Sequence, residues 1–466
     1  MPKKRSPRSQ KQNKRVLEQI NHQAAGADIG SDSIWICVGE HLSDEPIRRF
    51  GTTTAQLTAS AEWMVSVGVQ TVAVEATGVY WVAAYEIYEG RGLRPILINS
   101  RAIRNFNGMK KSDYVDCQWI HLLHTFGVLQ PSVRVEPHMI ELREYMRQRR
   151  TLIEQASAQI QRMQKALTLM NVRLDQVVTD ITGVTGMRIL CAIVEGERDP
   201  ARLAALRDPG CAKSELQMRE ALTGHWRDEQ LFTLRQTIEL WNYYRTLITS
   251  CDVQIEAVLK KLPRRAVDAP VAKPSAKARK NQITFDARTL LHDRLGIDLV
   301  QIKGLDSLTI LTVISESGTD LSRFPTDKHY ASWLGLAPGT KKSGHRVLSS
   351  RSRRTNNRAA TALRLAAQSL LKSECEIGAF GRALRARIGA EKAITAVACK
   401  LARRIYMSLQ TGRVTLDRGA AYHDQQHARR NLASLEKRAR RLGLQLVPIQ
   451  QVPPLQTQNP APMMMS

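Results

Sequence analysis

From Ile153 onward, the apolar residues Ile153, Ala156, Ile160, Met163, Leu167, Met170, Leu174 and Val177 recur at alternating spacings of three and four. Only a helix places such a series on one side; a strand would scatter it over two faces. The stretch therefore predicts a coiled-coil seam. A second seam runs through Leu231, Leu234, Ile238, Trp241, Ile248, Ile255 and Leu262, with Arg245 and Asp252 at the two positions where the pattern lapses. Two long helices follow from this. They either pack on each other as a helical hairpin or pair with a second copy of the chain.

Between the seams lies an internal repeat. ITGVTGMRILCAIVEGERDPARL (181–203) recurs as IKGLDSLTILTVISESGTDLSRF (302–324), so that Gly183 matches Gly304, Ile189 matches Ile310, Glu195 matches Glu316 and Arg202 matches Arg323. A glycine turn opening an apolar helix resembles the helix-hairpin-helix module, whose backbone N–H groups grip phosphates without reading sequence. Gly183 and Gly304 are therefore candidate nucleic-acid contacts. The alternative is that both turns only join core helices.

Ahead of the seams, short apolar runs alternate with helical periodicity, and four acids fall at telling places. Asp28 ends the small-residue run of AAGADIG, just before the β-rich stretch Ile34 to Val38, which reads as a hairpin. Glu75 closes TVAVE, a buried central strand by its composition, at the end where sites on open α/β sheets lie. Asp113 and Asp116 sit three apart in KKSDYVDCQWIHLLHTF, a helix by its apolar spacing, and so share a face. The predicted order is strand, strand, helix, strand, helix, strand, helix. Phosphodiester chemistry with two divalent ions about 3.5–4 Å apart needs carboxylates of this kind, and Mg²⁺ takes hard oxygen ligands. Each acid alone also reads as structural: Asp28 as a turn residue, Glu75 as a strand end, Asp113 and Asp116 as the acidic first turn of a helix.

The chain is long enough, at 466 residues with 43% hydrophobic residues, for two or three domains with proper cores. Its formal net charge of +26 calls for a polyanionic partner, with nucleic acid first and an anionic membrane surface second. No apolar run is long enough to span a bilayer, and the basic N-terminus has no signal core. The seven cysteines form no CxxC pair, which speaks for reduced thiols and against zinc.

Charge is most one-sided between Lys328 and Lys372, where no acid occurs and ten cations do. Inside this window, WLGLAPGTKKSGHRVLSSRSRRTNNR reads as a Gly/Pro-broken loop entering a helix near Arg358. Lys341, Lys342, Arg346, Arg351, Arg353, Arg354 and Arg358 are its candidate phosphate contacts. Ser343 stands between Lys342 and Gly344 with His345 nearby, and a serine hydroxyl needs such neighbours to become a nucleophile. The plainer reading makes it one phosphate donor among several.

The residues now carry a resemblance. DIG at Asp28, VEATG at Glu75, KKSDYVD at Asp113 and Asp116, and GLAP and SG around Ser343 resemble the DEDD-type insertion-sequence transposases, the insertion-sequence one-ten family. That resemblance implies an α/β RNase H-like nuclease domain, then a mostly α-helical coiled-coil segment, then an α-helical C-terminal domain with a helix-hairpin-helix-like element. It implies a DNA transposase or recombinase that excises and inserts an insertion-sequence element. Asp28, Glu75, Asp113 and Asp116 would be its Mg²⁺ ligands, and Ser343 the nucleophile that forms a covalent phosphoserine–DNA intermediate. It further implies donor and target DNA as partners, a noncoding bridge RNA as guide, a dimer or tetramer held by the coiled coil, and a cytoplasmic, nucleoid-associated setting in a bacterium. Two other readings remain open: a junction-resolving nuclease in which water attacks, and a nucleic-acid binder without activity.

The expected division is a basic arm (1–22), the nuclease domain (23–130), the coiled-coil region with the inserted repeat (131–262), a basic linker (263–295), the C-terminal transposase domain (296–415), and a basic helix with a disordered tail (416–466). The first repeat copy and the extension beyond about 416 depart from the family pattern.

Overall fold

The computed structural model describes residues 18–76, 78–99, 112–132, 134–265 and 280–447, and the chain divides into two units, 1–134 and 135–466. Most of the basic arm, the core of the linker and the final tail lie outside the described residues.

The first unit is a five-stranded mixed sheet with helices on both faces. Its strands are β1 (Ala24–Ile29), β2 (Ser33–Val38), β3 (Ile47–Gly51), β4 (Thr71–Glu75) and β5 (Arg94–Ile98), in the order β3-β2-β1-β4-β5. β1, β2 and β3 pair antiparallel, while β1, β4 and β5 pair parallel. The edge strand β3 goes beyond the sequence reading, which counted four strands. Its Ile-Arg-Arg-Phe run is only half-buried at an edge, so it lacks the apolar run that marks a central strand. Helices α1 (Thr54–Ser66) and α2 (Trp81–Gly90) cover one face, where Ala25, Ala27, Ile29, Val72 and Val74 meet Leu57, Met64 and Tyr88. Helix α3 (Asp113–Thr125) covers the other, and Ala73 and Ile98 meet its Ile120 and Leu123. The split follows from the pleat, since successive residues of a strand point to opposite faces.

The second unit is mostly helical. Helices α4 (Pro137–Leu169) and α9 (Asp228–Lys261) are its spine, and they run antiparallel: Glu141 meets Lys261, Arg149 meets Asp252, and Leu152 and Ala156 pack with Ile248 and Cys251. The two seams therefore cover each other within one chain. One of them is shorter than its periodicity predicts. α4 ends at Leu169, Asn171 adopts a left-handed backbone at φ 54°, and Leu174–Val177 forms a separate short helix, α5. Met170, Leu174 and Val177 stay buried all the same, because they line a small helical subdomain with α6 (Val184–Glu195), α7 (Pro200–Ala205) and α8 (Glu215–Leu222). The periodicity reports burial correctly there, but the chain reverses inside it.

The segment read as linker holds helix α10 (Ala287–Leu295), capped by Asp286, so only its first part lacks apolar spacing for a reason of sequence. Then come α11 (Ser307–Ser317), α12 (Asp327–Trp333), α13 (Arg358–Leu370), α14 (Glu376–Ile388), α15 (Ala390–Thr411) and the basic α16 (Gly419–Arg441). The C-terminal domain is α-helical, as expected, with one exception in the stretch read as a Gly/Pro-broken loop. A two-stranded ribbon, β6 (Lys341–Ser343) with β7 (Arg346–Ser349), interrupts it, because Gly344 at φ 54° lets the chain turn in two residues.

Both repeat copies open a helix after their glycine, α6 and α11, but the two turns differ. Gly183 is extended at φ −76°, whereas Gly304 is left-handed at φ 88° with its Cα facing Leu370, where a side chain would collide. Packing on α13 therefore demands the second glycine.

Candidate active site

The four acids of the first unit converge at the end of the sheet by a simple rule. Gly26 and Asp28 share the face of β1 that carries α3, and the helix lies so close that a Cβ on Gly26 would strike the backbone of Cys117 and His121. Two residues along the strand is about 6.6 Å, roughly one helical turn, which brings Asp28 towards the first turn of α3. That turn holds Asp113 and Asp116, and Ser112 caps it by accepting from the Val115 N–H. On the neighbouring strand Ala73 packs on α3, so Glu75, two residues further on, emerges on the same face. Trp35, cross-strand partner of Asp28, closes the flank by meeting Tyr114 edge to face at 5.7 Å.

Electrostatics carries the imprint of this arrangement. Burial and then the charges of Glu75, Asp113 and Asp116 push the Asp28 carboxyl up to about 7, against an Ile29 backbone hydrogen bond that pulls it down. A carboxyl raised by three others lies in a field that a divalent cation would relieve, and an all-oxygen donor set suits a hard cation such as Mg²⁺. Among the described residues no three acid, His or Cys side chains are gathered closely enough to form a finished metal cage.

The histidines of α3 are structural. Burial holds His121 and His124 down to about 4, so both are neutral, and His124 Nε2 lies 3.1 Å from Thr71 Oγ1 while His121 Nε2 lies 3.3 Å from Thr125 Oγ1. Cys37 and Cys117 are buried thiols pushed up to about 11 and about 12 by desolvation. Neither pair is equipped for chemistry.

Ser343 lies in the second unit, at the end of β6 and immediately before the turn, exposed like Lys341, Lys342 and Arg346 around it. Its cross-strand partner is Arg346. The ribbon leads back along Arg351, Arg353 and Arg354, all exposed, to Arg358 at the first turn of α13, which Asn357 caps by accepting from the Ala360 N–H. Arg353 is also fixed, its Nη2 donating to the Trp333 carbonyl at 3.1 Å.

Sequence reading missed the flanking ring pair Trp35 and Tyr114, of which Trp35 lies across the strand from Asp28 and Tyr114 follows Asp113 in the chain. It also saw Asp252 only as a lapse. Asp252 is fully buried and takes both nitrogens of the Arg149 fork, and it accepts the Thr284 N–H at 3.1 Å, while Arg149 also donates to the Asn281 carbonyl at 3.0 Å. This pair joins the two long helices to the segment leading into α10.

Residues 25–172 match the DEDD-type IS110 transposase family, and residues 298–380 match the transposase IS116/IS110/IS902 family. Residues 173–297 and 381–466 are covered by neither match. No curated protein matches the chain. No helix among the described residues is long and apolar enough to cross a membrane.

Proposed function

Starting from a chain that is a transposase of the IS110 family, a DNA-transposing protein, we propose that it recombines DNA through two sets of its own residues. Asp28, Glu75, Asp113 and Asp116 would hold Mg²⁺, and Ser343 would attack. The single observation that carries this is the Asp28 carboxyl, raised to about 7 by burial and the three other acids, which points to one shared site. DEDD transposases typically depend on divalent metal. When bound, the metal supplies charge stabilisation at the phosphoryl and leaving oxygens. The sheet order with acids on β1, β4 and α3 supports an RNase H-like core.

In the covalent step the Ser343 Oγ–H bond breaks, Oγ bonds to phosphorus, and one sugar oxygen leaves the same phosphorus and takes up a proton, so the exchange needs no external reagent. Lys341, Lys342 and Arg346 hold the phosphate beside the serine as point charges and forks. A second transesterification, by a sugar hydroxyl released from a different strand, breaks the Oγ–phosphorus bond, returns the proton to Ser343 and joins the two strands. A noncoding bridge RNA fits the acid-free ribbon, which grips backbone while base pairing supplies sequence. Assembly as a dimer or tetramer completes the reading, although the seams of α4 and α9 face each other and leave its interface to other surfaces.

One observation favours the resolvase reading, in which water attacks. Ser343 has no hydrogen-bonded base among the described residues. Protein, RNA, labelled DNA and Mg²⁺ decide between them: covalent label that survives denaturation, is released by protease, and disappears in Ser343→Ala supports the serine. Active protein without any covalent label assigns the attack to water.

A further inference from the structure

A cavity of about 680 Å³ lies in the second unit between α4, α11 and α13. Its volume falls within the roughly 300–1,000 Å³ of sites that enclose a small ligand. One part of the wall is apolar, with Ile153, Leu308, Ala362 and Leu365, the last 64% exposed at the rim. The other part is cationic. Arg358 lines it and forms no ion pair among the described residues, and Arg150 lines it with its only acid, Glu154, an exposed neighbour on the same helix at 2.9 Å.

The acids that reach the cavity are already engaged. Glu316 is held by Arg147 at 3.1 Å and by Arg143 at 3.6 Å, and Asp306 caps α11 by accepting from the Thr309 N–H at 2.8 Å. Those contacts also keep the cavity open, because they pin α11 to α4 through backbone carbonyls: Arg143 donates to those of Ser315 and Glu316 at 3.0 and 3.1 Å. The net character of the site is thus an apolar slot with positive charge at its mouth. A lipid or an apolar peptide would leave the arginines desolvated without partners, and a free phosphate would leave the slot empty.

We infer that the cavity receives one unstacked nucleotide, its base lying between Ile153, Leu308 and Leu365 and its phosphate on Arg358 and Arg150. Apolar side chains that sandwich a base, with arginines on the backbone, are how proteins hold a nucleotide taken out of its helix. Arg358 follows on the basic ribbon within the same acid-free stretch of chain, so a strand held along Arg351, Arg353 and Arg354 is led towards the slot by cations alone. The inference rests on the nucleic-acid part of the function proposed above and on neither chemical site.

The test is binding of the full chain, in EDTA, to three duplexes: fully paired, with one unpaired nucleotide, and with an abasic residue at that position, each made as DNA and as RNA. The unpaired nucleotide should bind about five- to a hundredfold more tightly than the other two, the range of one stacked base, and the arm that shows it names the source. Ala362→Trp, which fills the slot, and Leu365→Glu, which sets an acid at the exposed rim, should erase that preference and leave binding of the paired duplex unchanged. If Ala362→Trp does not fold, Leu365→Glu decides alone. Equal affinity for all three duplexes in both DNA and RNA overturns the inference, as does a preference that survives the folded variants. Failure to bind even paired duplex in either form removes the nucleic-acid reading and the inference with it.

Discussion

Replacing Asp28 by Asn tests the shared field of the four acids without any assay of recombination. The folded protein keeps the Asp28 proton up to about pH 7, whereas the unfolded chain releases it near 3.8. Between those values the folded state binds the extra proton, so stability falls as pH rises, and above about 7 the full cost of the ionised group is present. At about 1.4 kcal/mol for each pH unit between the two values, the cost would be about 4 kcal/mol; because Asp28 is only half-buried, screening reduces this to roughly 1–3 kcal/mol. Asn is nearly isosteric and carries no charge. In EDTA, Asp28→Asn should therefore match wild type near pH 4, gain on it as pH rises, and exceed it by that amount at pH 8. Mg²⁺ should raise the wild type and close the gap while leaving the variant almost unmoved. Urea unfolding of the full chain, in pH steps from 4.5 to 8 with and without Mg²⁺, reads both effects. A variant no more stable than wild type at pH 8, or a difference independent of pH, would refute the convergence of the acids.

Asp113→Asn should abolish strand cleavage while nucleic-acid binding persists, since one carboxylate is removed and the basic surface is untouched; cleavage at the wild-type rate in Mg²⁺ would remove the residue from the site. Replacing Arg351, Arg353 and Arg354 with Ala should weaken duplex binding and flatten the log–log salt dependence by about 0.9 for each phosphate no longer neutralised, measured as affinity against salt. Ser349→Ala, Ser350→Ala and Ser352→Ala should each keep covalent label if Ser343 is the nucleophile, and loss of label in one of them would move the assignment. Asp252→Ala should destabilise the helical unit by about 3–5 kcal/mol, because Arg149 would stay buried without its acid, whereas replacing both by apolar residues should recover much of that; thermal or urea unfolding of single and double variants separates the two.

Much of the architecture was legible because it follows from local periodicity. The pleat alone sends Gly26 and Asp28, and Ala73 and Glu75, to the face opposite Ala25, Ala27, Val72 and Val74, and the helical repeat alone sets Asp113 and Asp116 together. The seams likewise marked the side on which α4 and α9 meet, through Ala156, Met163, Leu167, Leu234, Ile238, Ile248 and Ile255, and the acid-free window marked the exposed basic residues. Other features depended on residues far apart in sequence. That α4 stops at Leu169 depends on Asn171 turning left-handed where the chain folds back against Gly224 and His225, whose N–H donates to the Met170 carbonyl at 2.7 Å. That Asp252 belongs in a helix core depends on Arg149, 103 residues earlier. Gly304 has no room for a side chain because Leu370 arrives from another helix, and the cavity beside it exists only where three helices meet. Period and charge are properties of a short stretch of chain, so they can be read in order along it; a partner brought in by folding changes what a residue is for, and only the tertiary structure supplies the partner.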